Sequence, residues 1–399
     1  MRTPVVVVAG QKQTDRVCDA LLKRPGTIVV RHRFDGQVVI RAVSIRRDEK
    51  IHVSERALEL SNGDVGATTT DDLLVLLRRL HRRQDVDRIV VHLGRWIEPE
   101  PVCWAINNVE VRVGPGYPDG PAALDVGIEA VISVVEAESW LAQALSDDPF
   151  DDDRTVAQIV VDQAEFADVV LLAGRPDRST IEVLRRLTPR GRLTSHTDRL
   201  ETLLGSLGPT ARRGADHCPH APLLAGQPPL HPDGDVRIVG FNANRPFHPM
   251  RLHAAIDELL SGVVRIRGRA WLASKPDAVV WIESAGGGLR VGYAGEWLAT
   301  MAPEQRAEES PERTAMASLL WSERFGDRHI AMTALVCGAD PDAITRSLRG
   351  ALLTDDELSA PQTWADYFDP FGDWHEDPCD DFDTADRDVP GRDERDDRA

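Results

Sequence analysis

Four groups of residues in this 399-residue chain are of types, and at spacings, that could do chemistry. The first follows the valine run Val5 to Val8, where Gly10, Lys12 and Thr14 stand in a strand-turn-helix context. In such a place a glycine-rich loop wraps phosphates with its backbone N–H groups, and a hydroxyl meets Mg²⁺. A working loop reads GxxxxGK(S/T). This one holds a single glycine, is several residues short, and has Gln13 directly after Lys12. The expectation is a tight turn without a phosphate site, with Gly10, Lys12 and Thr14 as the remnant of a nucleotide pocket.

The second group is His217, Cys218 and His220, with His231 further on. These residue types ligate zinc or copper, but their spacing fits no standard structural site. The third is Arg78, Arg79, Arg82 and Arg83, crowding the end of a helix read from Asp71 to Arg83 with Thr70 as its N-cap. Two readings stay open for it: contacts to phosphate or an acidic partner, or cations placed favourably at a helix C-terminus. The fourth is an aromatic island, Phe368 to Trp374, inside an acidic tail. Phe371 and Trp374 either dock on their own domain or anchor a partner.

The elements that must position these groups are legible as patterns. Continuous β-branched runs (Val5 to Val8, Ile28 to Val30, Arg88 to Val91, Val169 to Leu172) suit strands covered on both faces, and helical spacing intervenes between them. This predicts an α/β parallel-sheet domain over 1–204. Glycine, proline and small residues mark a linker over 205–234, and a smaller α+β domain is expected over 235–359. The final stretch, 360–399, is the acidic tail with its aromatic island. From Asp366 onward there are 14 acidic and 4 basic residues, so more than half of the net charge of −18 lies there. That composition predicts disorder and argues against a general nucleic-acid clamp. No apolar run approaches membrane-spanning length, and five scattered cysteines without a CxxC pair predict a reducing, cytoplasmic setting.

In the second half, Asn244 to Arg290 opens with Pro246 and Pro249, continues as an amphipathic helix (Leu252, Ile256, Leu259, Leu260) and stops at Gly262. Two strands follow, Val263 to Ala273 and Val279 to Glu283, joined by a turn at Ser274 to Asp277, and Ala302 to Arg313 reads as a surface loop. The segments RPFHPMRL, GVVRIRGRAWLASKPD and AGGGLRV, in this order, closely resemble the C-terminal domain of CobW-type proteins. That family pairs the domain with a P-loop GTPase and acts in metal delivery, so the resemblance implies GTP and zinc as cofactor and cargo.

Set against the family pattern, several expected residues are replaced. Asp64, Gly66 and Ala67 stand where a zinc-binding C-x-C-C motif belongs. His92 stands where a Walker-B carboxylate belongs, and a lone histidine after a buried strand is more often packed and hydrogen-bonded than a ligand. Ala173, Gly174 and Pro176 replace the Asn, Lys and Asp of the guanine-reading quartet. Loss of three nucleotide elements implies that GTP hydrolysis is absent. Further segments (DDLLVLLRRLHRR, PVCWAI, GYPDGPAALDV, PHAPLLAG, DPFGDWHEDPC) resemble a divergent branch of the family, induced when zinc is scarce. That likeness implies a scaffold bringing a ribosome hibernation promoting factor to the small ribosomal subunit, with no membrane or DNA partner. A GTP-dependent zinc metallochaperone is the alternative.

Overall fold

The computed structural model describes residues 2–61, 63–150, 154–216 and 218–372. In chain order the strands are β1 (Thr3–Gly10), β2 (Thr27–Phe34), β3 (Val39–Arg47), β4 (Lys50–Leu58), β5 (Arg88–His92), β6 (Glu110–Val111), β7 (Gly120–Pro121), β8 (Val126–Glu136), β9 (Val169–Ala173), β10 (Arg192–Thr194), β11 (Val236–Ala243), β12 (Val263–Leu272), β13 (Lys275–Ala285), β14 (Gly288–Glu296) and β15 (Ile330–Cys337). The helices are α1 (Thr14–Leu21), α2 (Val65–His81), α3 (Pro99–Asn108), α4 (Trp140–Ala144), α5 (Val156–Glu165), α6 (Arg178–Leu187), α7 (Leu200–Gly205), α8 (Pro249–Ala254), α9 (Ile256–Leu260), α10 (Pro303–Glu308), α11 (Pro311–Leu320), α12 (Pro341–Ala351) and α13 (Asp355–Leu358).

The first sheet runs β10-β9-β8-β1-β5-β2-β3-β4. Six of its strands are parallel, and the last two join antiparallel through hairpins. Val5 to Val8 are wholly buried because helices cover both faces there. The second sheet, β11-β15-β12-β13-β14, is antiparallel throughout. Its core gathers Trp271, Trp297, Phe247, Leu252 and Leu348. The expected fold class is the one observed: a parallel α/β domain of P-loop type followed by a smaller α+β domain.

The arginines of β12 explain much of its sequence. Arg265 reaches Asp162 (3.1 Å) and Glu165 (3.1 Å) on α5 of the first domain and Glu283 (3.3 Å) on the neighbouring strand. Arg267 pairs with the same Glu165. Arg269 donates to the carbonyls of Pro219 (2.7 Å) and Ala221 (3.1 Å), pinning the connecting segment to the second sheet. Burial pushes the Asp162 carboxyl up, and Arg265 pulls it back. The glycines of AGGGLRV serve the same junction. A Cβ on Gly286 would lie 2.4 Å from the Ser146 carbonyl oxygen, and one on Gly287 would lie 2.5 Å from Asp147 Cβ. Only a chain without side chains can bring the β13–β14 turn so close to the segment after α4.

Several local expectations are corrected. Helix α2 starts at Val65, six residues earlier than Asp71, because the Asp64 carboxylate caps it by accepting from the N–H groups of Gly66 (2.7 Å) and Ala67 (3.1 Å). Thr70 therefore lies inside the helix. The span read as a loop from Ala302 to Arg313 contains α10 and the start of α11, each opened by a proline at its first position. The single helix after Pro249 breaks at Ala255 into α8 and α9, and the hairpin turn falls on Ala273–Ser274, since β13 starts at Lys275. Gly262 stops α9 as expected, with φ 69°. The tail beyond Gly372, Trp374 included, lies outside the described residues.

Candidate functional site

The nucleotide remnant lies at the carboxyl ends of β1, β5 and β2, where a parallel α/β sheet places its ligands. Only Gln11 to Gln13 separate β1 from α1. Gln13 takes a left-handed φ of 61°, and a Cβ on Gly10 would lie 2.4 Å from the Val134 carbonyl oxygen. Gln11 turns inward and donates to Gln163 Oε1 (2.8 Å), whose amide donates to the carbonyls of Arg95 and Ile97 (both 2.9 Å). Lys12 points to the surface and pairs with Glu136 at 2.7 Å, which holds that carboxyl below its ordinary range. The lysine that would meet phosphates is thus engaged by a carboxylate at the end of β8.

Thr14 is held by His92. Arg31 Nε lies 2.7 Å from His92 Nδ1, and His92 Nε2 lies 2.7 Å from Thr14 Oγ1. A guanidinium can only donate, so Nδ1 accepts and the ring proton of the neutral imidazole stays on Nε2, donating to the threonine. Burial, assisted by Arg31, pushes the His92 pKa down to about 4, which keeps the ring neutral near pH 7. Both ring nitrogens are therefore committed. His92 cannot act as base toward Thr14, and it has no lone pair free for a metal.

GTP with Mg²⁺ does not fit this arrangement. A three-residue connection offers too few N–H groups to wrap two phosphates, and the hydroxyl needed for Mg²⁺ faces an imidazole. The base side agrees. After Ala173, Gly174 turns with φ 94° and the next carboxylate along the chain, Asp177, caps α6 by accepting from Thr180 N–H at 2.7 Å. The zinc position agrees too, since Asp64 is spent on capping α2.

The arginine helix divides. Arg78 is fully buried: it pairs with Asp125 at 2.8 Å and donates to the Gly120 carbonyl at 3.0 Å. The expectation that it meets a partner gives way, because its charge is needed inside. Arg79 and Arg82 are exposed, and Arg82 stacks on the Tyr117 ring with its guanidinium 3.6 Å from the centroid. Arg83 shares Asp85 with Arg47. Together Arg78, Arg79 and Arg82 donate to carbonyls of Val111, Val113, Gly116 and Gly120, binding the loop from β6 to β7 along the helix.

Among the described residues His220 has no hydrogen bond with another ligand-type side chain. Its Nε2 lies 2.9 Å from the Ala294 carbonyl oxygen, and burial next to Arg313 lowers its pKa to about 4. Cys218 is exposed, and His217 lies outside the described residues. Among the described residues there is no group of three His, Cys, Asp or Glu that could hold a metal ion. Phe371 is half-buried against the second core, its ring 6.0 Å from that of His253, so it docks on its own domain. Phe368 stays 72% exposed. Sequence reasoning missed Gln11, Gln163 and Arg31, and the one available signal was the polar type of Gln11 at a buried strand end. Among the described residues no helix is long and apolar enough to cross a membrane.

Comparison with known proteins matches residues 236–352 to the cobalamin synthesis protein CobW C-terminal domain, and residues 31–183 to the CobW/HypB/UreG nucleotide-binding domain. A Mycobacterium tuberculosis protein called zinc chaperone Rv0106 is 58% identical over 379 residues, 95% of either chain. The zinc-regulated GTPase metalloprotein activator 1 of Dictyostelium discoideum is 25% identical over 340 residues, 79% of this chain and 70% of that one. Among solved structures, Zn(II)-bound YjiA GTPase from E. coli shares 14% identity, with 88% of this chain and 100% of that one covered. Its TM-score of 0.36 is too low to build on.

Proposed function

Since this chain belongs to the CobW/HypB/UreG family and carries its C-terminal domain, we propose that it serves zinc homeostasis as a binding scaffold, with no GTP turnover. The observation that carries this reading is the Arg31–His92–Thr14 chain of hydrogen bonds, together with Lys12 on Glu136. These contacts satisfy inside the protein the groups a GTPase aims at phosphate and Mg²⁺. The link to zinc is supported by the 58% identical relative named as a zinc chaperone.

The partner is a ribosome hibernation promoting factor, which the scaffold brings to the small ribosomal subunit. Support for it comes from the sequence segments that resemble the hibernation branch. Exposed Arg79, Arg82 and Phe368 are the groups available to hold it. A second reading, a GTP-dependent zinc metallochaperone, is favoured by the names of both relatives. Co-purification of the full chain with the factor and with ribosomes, with and without GTP and zinc, separates the two. The scaffold retains the factor regardless of nucleotide and loses it in Arg79→Glu at unchanged thermal stability. Retention of neither factor nor ribosomes refutes the recruitment reading.

A further inference from the structure

Among the described residues, strand β4 closes the first sheet, pairs only with β3, and leaves its outer row of backbone N–H and C=O groups without a strand partner. Natural edges of this kind are blunted by charged side chains, by proline, by a bulge or by a covering element. Among the described residues only the first is present, as Lys50, Glu55 and Arg56. Residues 50–57 are exposed on both faces, the register with β3 runs without a shift from Lys50 to Leu58, and the strand contains neither proline nor glycine. Its central apolar side chains, Ile51 and Val53, share one face and are 50% and 56% exposed. The hairpin is rigidly made, since Asp48 (φ 48°) and Glu49 (φ 63°) both take the positive φ of a two-residue turn matched to strand twist.

We infer that β4 is a self-association edge, which pairs antiparallel with β4 of a second copy of this chain. A two-fold axis normal to the sheet preserves faces, so the paired residue numbers must add to an even number. Few registers remain, and side-chain chemistry separates them. With Val53 opposite Val53, Ile51 faces Glu55 and Lys50 faces Arg56. With Ser54 opposite Ser54, Val53 faces Glu55 and His52 faces Arg56. With Glu55 opposite Glu55, two carboxylates meet on the axis. With Ile51 opposite itself, Val53 faces Glu49. With His52 opposite His52, Ile51 faces Val53 twice, and Asp48 faces Arg56 twice. This last register forms a four-residue apolar cluster, while at the turn two opposite-charge contacts (Asp48 with Arg56) are offset by two like-charge contacts (Glu49 with Glu55), so the apolar cluster is what selects it. Cross-strand pairs of these kinds are the units that stabilise a sheet. The two sheets then join into one of sixteen strands, an isologous dimer.

The test uses the full chain with Cys218 and Cys379 replaced by Ser. Sedimentation across a concentration series is expected to show a reversible monomer–dimer equilibrium. Val53→Lys raises the dimer dissociation constant at least about tenfold, with an unchanged circular dichroism spectrum. In the inferred register, His52→Cys places two thiols directly opposite across the axis, about 4.5–5.5 Å apart at Cα, within reach of a disulfide. Under mild oxidation it is expected to give a covalent dimer, and Ser54→Cys is not. A chain that stays monomeric at every concentration overturns the inference. So does a dimer indifferent to Val53→Lys, or one that crosslinks through position 54 and not through position 52.

Discussion

Replacement of Arg78 by Ala distinguishes an internal cation from a partner contact, and its effect can be worked from the geometry. The guanidinium is wholly buried, paired with Asp125 at 2.8 Å and bonded to the Gly120 carbonyl at 3.0 Å. Removing it leaves Asp125, only 18% exposed, without its cation, and releases the loop between β6 and β7. Breaking a buried pair by losing one partner costs about 3–5 kcal/mol. At about 2–4 °C per kcal/mol for a domain of this size, unfolding of the first domain falls by about 6–20 °C. Arg79, exposed and holding one carbonyl at 3.4 Å, is expected to cost less than about 0.5 kcal/mol when changed to Ala. Differential scanning calorimetry reads both. Replacing the pair together, Arg78→Met with Asp125→Leu, recovers part of the loss because no carboxylate is left stranded. Equal, small shifts for Arg78→Ala and Arg79→Ala refute the reasoning.

Three further outcomes follow from the same contacts. Gly287→Ala would drive a Cβ to 2.5 Å from Asp147 Cβ, and costs about 1–3 kcal/mol; limited proteolysis between 206 and 235 should speed up accordingly. His92 is held neutral with its pKa lowered from 6.5 to about 4, so the unfolded chain takes up the proton first as pH falls. The stability it contributes is complete above pH 6.5 and is lost between there and pH 4, by about 3 kcal/mol in all; His92→Gln should flatten the pH dependence of urea unfolding over that window. Zinc is expected to bind weakly, through the His217, Cys218 and His220 segment if anywhere, since tight sites need convergent deprotonated ligands. A stoichiometric tight site that survives joint replacement of those three by Ala contradicts this.

The parts of the fold written in periodicity were readable without coordinates. Val5 to Val8 could only be a covered strand, and Gly262 could only end a helix. Elements whose residues are polar and solvent-facing were not. β4 carries the alternation of an exposed ribbon, with no buried stripe to mark it. The first turn of α2 is hidden by Gly66 and by three threonines, and it forms because Asp64 caps it. Pro303 and Pro311 read as breaks although each opens a helix, since the missing N–H at a first helical position is not needed. At the nucleotide remnant, the missing motif residues were visible, but their replacement by a hydrogen-bonded chain was not. Arg31, His92 and Thr14 come from three elements 17 to 78 residues apart, and only the parallel pairing of β2 with β5 brings the first two together.

The measurement that bears most directly on a GTPase fold working without GTP is a calorimetric titration of the purified full chain with GTP and Mg²⁺. The commitment of Thr14 to His92 and the three-residue connection from β1 to α1 predict a dissociation constant weaker than about 100 µM, a binding free energy no better than about −5.5 kcal/mol, and no phosphate release. Stoichiometric binding near about 1 µM, with hydrolysis abolished by Lys12→Ala, would contradict the account.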